Sequence, residues 1–335
     1  MRQKPEISIV ITAHNAEETI RECLESIAAD RGFKPEKIEI ILIDDRSRDN
    51  TAAAARSIGL ANLKIISIDS YENHGLTARQ VALDEGFRQA CGEVILVTDA
   101  DAVVPADWIQ NMAGPLRASR MRGTAGMITF KGEKKWPEKL QSVDAICYFS
   151  LCRLLNRLGF KGGIFFGNFA FRKEVYEKTG GFKTLGFALT EDLLFYRALR
   201  RHGFPVFFSK SEPVTVRAAH NWRELIQRTK RVSSGGFSLL SLLLGLWLVS
   251  FIILSVLTAV TIATDQMNLD ILMLSGFRYL AGVGFAGYAV LSARRFSLLP
   301  LIFIYELAVI ALGLLTLLST RLKKRVEWGG IRYDR

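Results

Sequence analysis

The first hundred residues alternate short apolar runs with longer amphipathic stretches. Ile7-Ser8-Ile9-Val10-Ile11-Thr12-Ala13, Ile38-Glu39-Ile40-Ile41-Leu42-Ile43, residues 63–68 and Glu93-Val94-Ile95-Leu96-Val97-Thr98 are short, rich in β-branched residues and bounded by polar positions. That is the pattern of buried parallel strands. Between them the spacing predicts helices over 16–29, 51–58 and 76–90, with Ser47 or Asp49 as a cap for the second. Pro105 is placed to open a further helix. Strands alternating with helices predict a doubly wound α/β fold with a mostly parallel sheet.

The middle of the chain is less regular. Residues 123–130 read as one more strand. Residues 138–158 carry Leu140, Val143, Ile146, Cys147, Leu151, Leu154, Leu155 and Leu158 near helical spacing, which fits a core-facing helix or one lying on a membrane surface. Gly162-Gly163 and Gly180-Gly181 punctuate loops, and 189–201 reads as a helix capped by Thr190.

Beyond Gly235-Gly236 the pattern changes to near-continuous apolar sequence. Residues 237–263, 271–293 and 296–319 are each long enough to span a bilayer, which needs about 20 residues. Pro300 and Glu306 interrupt the third. Three full crossings would carry the basic tail to the outer side, against the positive-inside rule. Two crossings plus a broken, re-entrant third segment would return the tail to the cytoplasm, and Pro300 and Glu306 suit such a segment. The expected division is a catalytic domain over 1–235, including a basic juxtamembrane helix at about 219–235. A membrane region over 236–320 and a basic tail over 321–335 follow.

Composition refines this picture. The chain has 335 residues, 49% of them hydrophobic, and a net charge of +11. The excess positive charge clusters beside the apolar segments, at Arg217, Arg223, Arg228, Lys230 and Arg231 and again at Arg321, Lys323, Lys324, Arg325, Arg332 and Arg335. Basic residues in those places meet anionic lipid headgroups. No recognition-helix or RNA-binding pattern accompanies them, so nucleic acid is not an expected partner. Cys23, Cys91, Cys147 and Cys152 lack metal-like spacing and read as reduced thiols. Residues 1–6 are polar and 7–13 too short for a signal-peptide core, which places the first domain in the cytoplasm.

Candidate chemistry gathers where the strands end. His14-Asn15, Asp44-Asp45 and Asp99-Ala100-Asp101 each follow an apolar run, and in open α/β sheets ligands bind beyond the carboxyl ends of the strands. Two closely spaced carboxylates suit a hard divalent cation that also holds phosphate oxygens, which points to nucleotide-diphosphate chemistry.

Five ordered segments resemble the family 2 inverting glycosyltransferases, membrane-attached members above all. Residues 8–17 are similar to that family's opening strand and loop. Ile43-Asp44-Asp45-Arg46-Ser47-Arg48-Asp49-Asn50-Thr51 resembles its base-binding stretch, and Thr98-Asp99-Ala100-Asp101 its metal motif. Gly167-Asn168-Phe169-Ala170-Phe171-Arg172-Lys173 with Gly180-Gly181-Phe182 resembles the acceptor-side pattern, and Thr190-Glu191-Asp192 the catalytic one. The resemblance covers roughly 7–236. It implies a GT-A, Rossmann-like nucleotide-binding domain followed by transmembrane helices.

The resemblance also implies roles. Ala13, Asn15, Asp45, Arg79 and Asp99 would bind the donor, with Asp44 helping at the base or ribose. Asp101 with Asp99 would hold Mg²⁺ or Mn²⁺. Asp192 would be the general base, with Glu191 orienting it or the acceptor. Gly167, Asn168, Gln227, Arg228, Lys230 and Arg231 would line the acceptor or diphosphate side. His220 is a further candidate metal ligand. In the last segment Lys230-Arg231 stands where processive members carry adjacent Arg and Trp. Lys does not reproduce the planar fork of Arg, and the missing indole removes a stacking surface. Trp328-Gly329-Gly330-Ile331-Arg332-Tyr333 is similar to the tail of some lipid glycosyltransferases, and it also reads as an interfacial aromatic anchor.

The expectation is a metal-dependent, inverting enzyme. It would move a sugar from a nucleotide-diphosphate sugar, UDP-linked by preference, to a lipid or lipid-linked acceptor at the inner membrane. The alternatives are a processive polysaccharide synthase and a non-catalytic nucleotide-sugar-binding scaffold.

Overall fold

A computed structural model describes residues 4–70, 75–158, 163–233, 239–266, 268–322, 325–328 and 331–334. The expected boundary at Gly235-Gly236, and Gly162, Lys323, Lys324, Gly329, Gly330 and Arg335, lie outside those residues. The elements run β1 (Ile7–Ala13), α1 (Ile20–Ala28), β2 (Ile38–Asp45), α2 (Thr51–Arg56), β3 (Leu63–Ile68), α3 (Ala78–Gln89), β4 (Val94–Asp99) and α4 (Trp108–Ala118). There follow β5 (Gly123–Ala125), β6 (Ile128–Lys131), α5 (Trp136–Arg157), β7 (Phe169–Arg172), α6 (Lys173–Thr179), α7 (Gly181–Leu185), α8 (Glu191–Arg201), β8 (Val206–Phe208) and β9 (Val214–Arg217). The chain continues with α9 (Trp222–Ser233), α10 (Leu239–Ala263), α11 (Leu269–Ser292), a 3₁₀ segment (Phe296–Phe303), α12 (Tyr305–Leu322), β10 (Arg325–Trp328) and β11 (Ile331–Asp334).

The chain forms two compact units that cut across the linear division expected from composition. One comprises 1–131, 163–217 and 327–334; the other comprises 132–162 and 218–326 together with residue 335. Helices α5 and α9 therefore group with the apolar segments, because both present apolar faces to them. The C-terminal strand β11 groups with the nucleotide-binding fold.

In the first unit a seven-stranded sheet has the order β3-β2-β1-β4-β7-β5-β8. The four strands read from the sequence are parallel neighbours. β7 runs antiparallel to β4 and β5, so the sheet is mostly parallel, as expected. Residues 123–130 are two short strands rather than one: β5 joins the main sheet and β6 pairs with β9. Helix α4 begins at Trp108, not at Pro105, whose carbonyl accepts the Trp108 N–H at 3.0 Å in the preceding turn. An aromatic cluster fills the space under β4 and β7, with Phe87, Phe166, Phe169, Phe171, Tyr176, Phe182 and Phe195 in one core. The Phe87 and Phe171 rings meet edge to face at 5.1 Å, a geometry favoured by the ring quadrupoles.

In the second unit α10 and α11 are each long and apolar enough to cross a membrane. The third apolar run is broken: the 3₁₀ segment and the helix after it are bent by 73°. Pro300 lies within the 3₁₀ segment and cannot continue an α-helical ladder. Glu306 just beyond it pairs with Arg278 of α11 through both carboxylate oxygens, at 2.9 and 3.0 Å. Arg278 also stacks over the Trp247 ring of α10, with Cζ 3.6 Å from the ring centre. Trp247 Nε1–H donates to Glu306 at 2.9 Å, so the network joins all three helices. A Cβ on Gly282 would collide with the Glu306 carboxylate, and this glycine makes room for the pair. Val143, Ile146 and Cys147 of α5 pack on Ala286, Ala289 and Val290 of α11 and on Leu298. The helix predicted over 138–158 thus buries one face within its unit, while Trp136 and Leu154 stay exposed. Cys23, Cys147 and Cys152 are buried and, like Cys91, unbridged.

Candidate active site

Strand register assembles the site's floor. Ala13 lies opposite Asp44, and Thr12 opposite Asp99, so the ends of β1, β2 and β4 fall on one edge of the sheet. Ala13 itself is buried at that edge.

The loops after β1 and β2 are laced together. Asn15 and Arg46 both take left-handed backbone angles, with φ of 52° and 56°. Asn15 N–H donates to Ser47 Oγ at 2.9 Å, and Asn15 Oδ1 accepts from Arg48 N–H at 2.8 Å. Ala16 N–H donates to Thr51 Oγ1 at 2.8 Å and Glu17 N–H to Asp49 Oδ2 at 3.0 Å. Asp49 Oδ1 also accepts from the Thr51 hydroxyl and N–H. Asn15, Ser47, Asp49 and Thr51 therefore shape the rim. Neither Ser47 nor Asp49 occupies the N-cap of α2, which is Asn50. Partial burial pushes the Asp49 carboxyl up, but the hydrogen bonds from Thr51 and Glu17 outweigh it and hold the group below its ordinary 3.8.

Two acids face this rim from β2. Asp44 is only 8% exposed, and its Oδ1 has no hydrogen-bond partner among the described residues. A buried carboxylate oxygen left unpaired is costly, so this atom is ready for a ligand donor. Asp45 is gripped by Arg46, with Nε 2.7 Å from Oδ1 and Nη2 2.9 Å from Oδ2. Arg46 carries no sequence signal for this role, since residue spacing does not say that a side chain folds back on its neighbour.

Arg79 ties the acidic motifs together. Its Nη2 pairs with Asp99 Oδ1, and its Nε lies 2.6 Å from Glu191 Oε1. Arg79 and Glu191 side chains are 14% and 8% exposed. Burial alone would lower the Arg79 pKa, but the charges of Asp99 and Glu191, with Asp192 adding to them, raise it. The guanidinium is therefore charged at any working pH. Asp192 stands next to this cluster at the start of α8, half-buried, with Oδ1 accepting from Leu193 N–H at 2.7 Å. Thr190 occupies the N-cap position without a side-chain capping bond.

Gly167 stands against the other side of Asp99. Thr98 Oγ1 donates to the Gly167 carbonyl at 2.9 Å, and a Cβ at Gly167 would come within 2.9 Å of Asp99 Oδ2. This bare backbone keeps space beside the second carboxylate oxygen. Asp99 and Asp101 supply the one or two hard oxygen-donor side chains that Mg²⁺ or Mn²⁺ takes when substrate phosphates complete its shell. The residues thus fit a diphosphate-bound divalent ion.

Asn168 is placed differently from the sequence expectation. It is fully buried, its Oδ1 accepts from Trp108 Nε1–H at 2.9 Å, and its Nδ2 donates to the Met127 carbonyl at 2.8 Å. Its amide braces the floor behind Gly167 instead of facing a ligand. Gln227, Arg228, Lys230 and Arg231 belong to α9 in the second unit. Arg228 donates to Glu224 at 2.7 Å, Lys230 is 2% exposed, and Gln227 Oε1 is buried without a hydrogen-bond partner among the described residues. His220, in the same unit, has Nδ1 3.2 Å from Glu138 Oε1.

The fold and the acidic edge define a nucleotide-sugar type of α/β domain. The family profile described as "Glycosyl transferase family 2" matches residues 8–180, and the chain belongs to that family. It is 24% identical over 238 residues to "Probable glycosyltransferase YdaM" of Bacillus subtilis (strain 168), covering 70% of this chain and 56% of that protein. It is 34% identical over 115 residues to "Poly-beta-1,6-N-acetyl-D-glucosamine synthase" of Staphylococcus aureus (strain COL), covering 32% of this chain and 26% of that one. The chain thus spans between a quarter and just over half the length of these relatives. Among solved structures, "Mannosyltransferase PcManGT from Pyrobaculum calidifontis in complex with GDP-Man and Mn2+" superposes with a TM-score of 0.52 at 16% identity. That alignment covers 95% of this chain and 88% of that one, and it shows a shared GT-A fold.

Proposed function

We propose that this chain transfers a sugar, with inversion, from a nucleotide-diphosphate sugar to a hydroxyl of a lipid or lipid-linked acceptor at a membrane. The observation that carries the reading is Arg79, which pairs with both Asp99 and Glu191 and so joins the diphosphate edge to the start of α8.

On this reading a base N–H donates to Asp45, and Asp44 Oδ1 takes a donor from the base or the ribose. A carboxylate has about four acceptor sites, so the base joins Asp45 while Arg46 stays in place. A UDP-linked donor is the preferred one: the single ring N–H of uracil takes one carboxylate, and a ribose hydroxyl takes the other. Glu191 pairs with Arg79 and orients the site, and Asp192, the acid of the matching family motif, is the base. Asp192 takes the proton from an acceptor hydroxyl aligned behind the anomeric carbon. One base and one backside displacement give inversion. Asp101 with Asp99 would hold Mg²⁺ or Mn²⁺, which supplies charge neutralisation for the leaving diphosphate. Arg79 orients Asp99 for that purpose.

The second unit supports the choice of acceptor class. Two apolar helices of membrane-spanning length, and α5 with Trp136 and Leu154 exposed, suit an amphipathic acceptor whose hydroxyl reaches the site from the bilayer surface. Single-sugar transfer is preferred to polymer synthesis, because Lys230 is buried in α9 and no tryptophan follows it.

The test is a panel of nucleotide sugars given to the full chain in lipid nanodiscs, with and without Mn²⁺. Metal-dependent release of nucleoside diphosphate and a lipid product one sugar larger are expected. A ladder of chain lengths would favour a processive synthase. No metal-dependent turnover with any donor would favour a binding scaffold.

A further inference from the structure

Tyr333 lies on β11, near the far end of the chain, and is 5% exposed. Its hydroxyl accepts the Ala78 N–H at 3.0 Å, across 255 positions of sequence. Its ring packs on Phe187, with centroids 6.0 Å apart. An interfacial anchor would keep its ring among headgroups and its hydroxyl in water. This tyrosine instead spends both on the nucleotide-binding unit.

The two contacts fall on the two walls of the candidate site. Ala78 is the first residue of α3, and its N–H is one of the four that no intrahelical carbonyl can take. A capping box serves its neighbours: Thr77 Oγ1 accepts from Gln80 N–H at 3.2 Å, and Gln80 Oε1 accepts from Thr77 N–H at 3.0 Å. The next residue along is Arg79. On the other wall, Gln80 Nε2 donates to the Gly186 carbonyl at 2.8 Å, and Ala188 N–H donates to Gln80 Oε1 at 3.1 Å. Residues 186–188, with Phe187 at their centre, lead directly into Thr190-Glu191-Asp192.

We propose that Tyr333 is a positioning residue for sugar transfer. It clasps the first turn of α3 to the 186–188 loop and so holds Arg79 in register with Glu191 and Asp192. This rests on the site reading given under Proposed function. The strand after the membrane segments is then a working part of the catalytic unit.

The experiment uses the full chain in nanodiscs and compares wild type with Tyr333→Phe and Tyr333→Ala. Steady-state kinetics and hydrogen exchange at amides 77–80 are read in parallel. Tyr333→Phe keeps the ring and removes the acceptor. Its kcat is expected to fall about fivefold, the factor a hydrogen bond of ~1 kcal/mol carries, and the donor KM to rise with it, since Arg79 also orients Asp99 at the diphosphate edge. Tyr333→Ala falls further. Exchange at 77–80 quickens in both, while the central strands keep their protection. Unchanged exchange overturns the clasp, and quickened exchange with wild-type kcat overturns the positioning role. A wild type that turns over no donor defeats the proposed function instead, and the exchange data alone then decide the clasp.

Discussion

Arg79 Nε lies 2.6 Å from Glu191 Oε1, and the other arm of the same guanidinium pairs with Asp99. A planar, always-charged fork holds two carboxylates in fixed directions, and an ammonium on a flexible stem does not reproduce that geometry. Arg79→Lys should therefore lower kcat by about a hundredfold, the scale expected when reacting groups shift by an ångström. Arg79→Met leaves Glu191 buried and unpaired, which costs about 3–5 kcal/mol. Pairing it with Glu191→Gln should restore the melting temperature but not turnover. Recovery of both in the double variant would show that the ion pair is only structural.

Asp49 gives the site an acid limit. Its carboxyl is held below 3.8 in the folded chain by Thr51 and Glu17. A depressed folded pKa stabilises above the unfolded value, and that contribution is lost as pH falls through the folded one. Asp49→Asn should melt earlier than wild type at neutral pH, and the gap should close as pH drops below about 3.8. Melting curves at pH 7, 5 and 3 measure this; a gap of constant size would contradict it.

The Arg278–Glu306 pair predicts a stability effect separate from chemistry. Both side chains are buried, and removing one partner leaves an uncompensated charge. Glu306→Ala should cost about 3–5 kcal/mol and lower the melting temperature of the purified protein. Arg278→Met with Glu306→Met should recover much of it. A melting temperature unchanged by Glu306→Ala would mean that the pair is not closed in the membrane.

Docking of Tyr333 on α3 also carries a topological consequence. The tail strand β11 belongs to the first unit, which predicts an even number of crossings between α9 and β10. Two crossings by α10 and α11 meet this, with the bent third segment re-entrant. An impermeant maleimide applied to intact cells should label Asp265→Cys, in the turn between α10 and α11, and spare both native Cys91 and Asp334→Cys. Opposite behaviour of Cys91 and Asp334→Cys would exclude the docked tail.

Much of this architecture was legible in the sequence for a physical reason. β1, β2 and β4 are buried on both faces, so they appear as continuous apolar runs, and their ends mark the acidic edge. β5, β7 and β8 are three or four residues long, too short for any period to register, and the reversed direction of β7 leaves no local mark. The broken third segment was readable because Pro300 and Glu306 are chemically out of place in an apolar run. Arg79 was visible as a basic residue near the nucleotide edge, but not as the link between Asp99 and Glu191. Asn168 matched a motif and proved to be bound up with Trp108 and Met127, because a sequence pattern does not say which way an amide points. The Tyr333 contact joins residues 255 apart, beyond the reach of spacing arguments.

The most direct measurement is the turnover of Asp192→Asn beside wild type, with donor affinity titrated on the same preparations. A general base contributes about 10²- to 10⁴-fold. The expected result is a loss of that size in kcat, with the donor Kd unchanged because Asp44, Asp45 and the Arg79 cluster are intact. Wild-type turnover by Asp192→Asn would contradict the account.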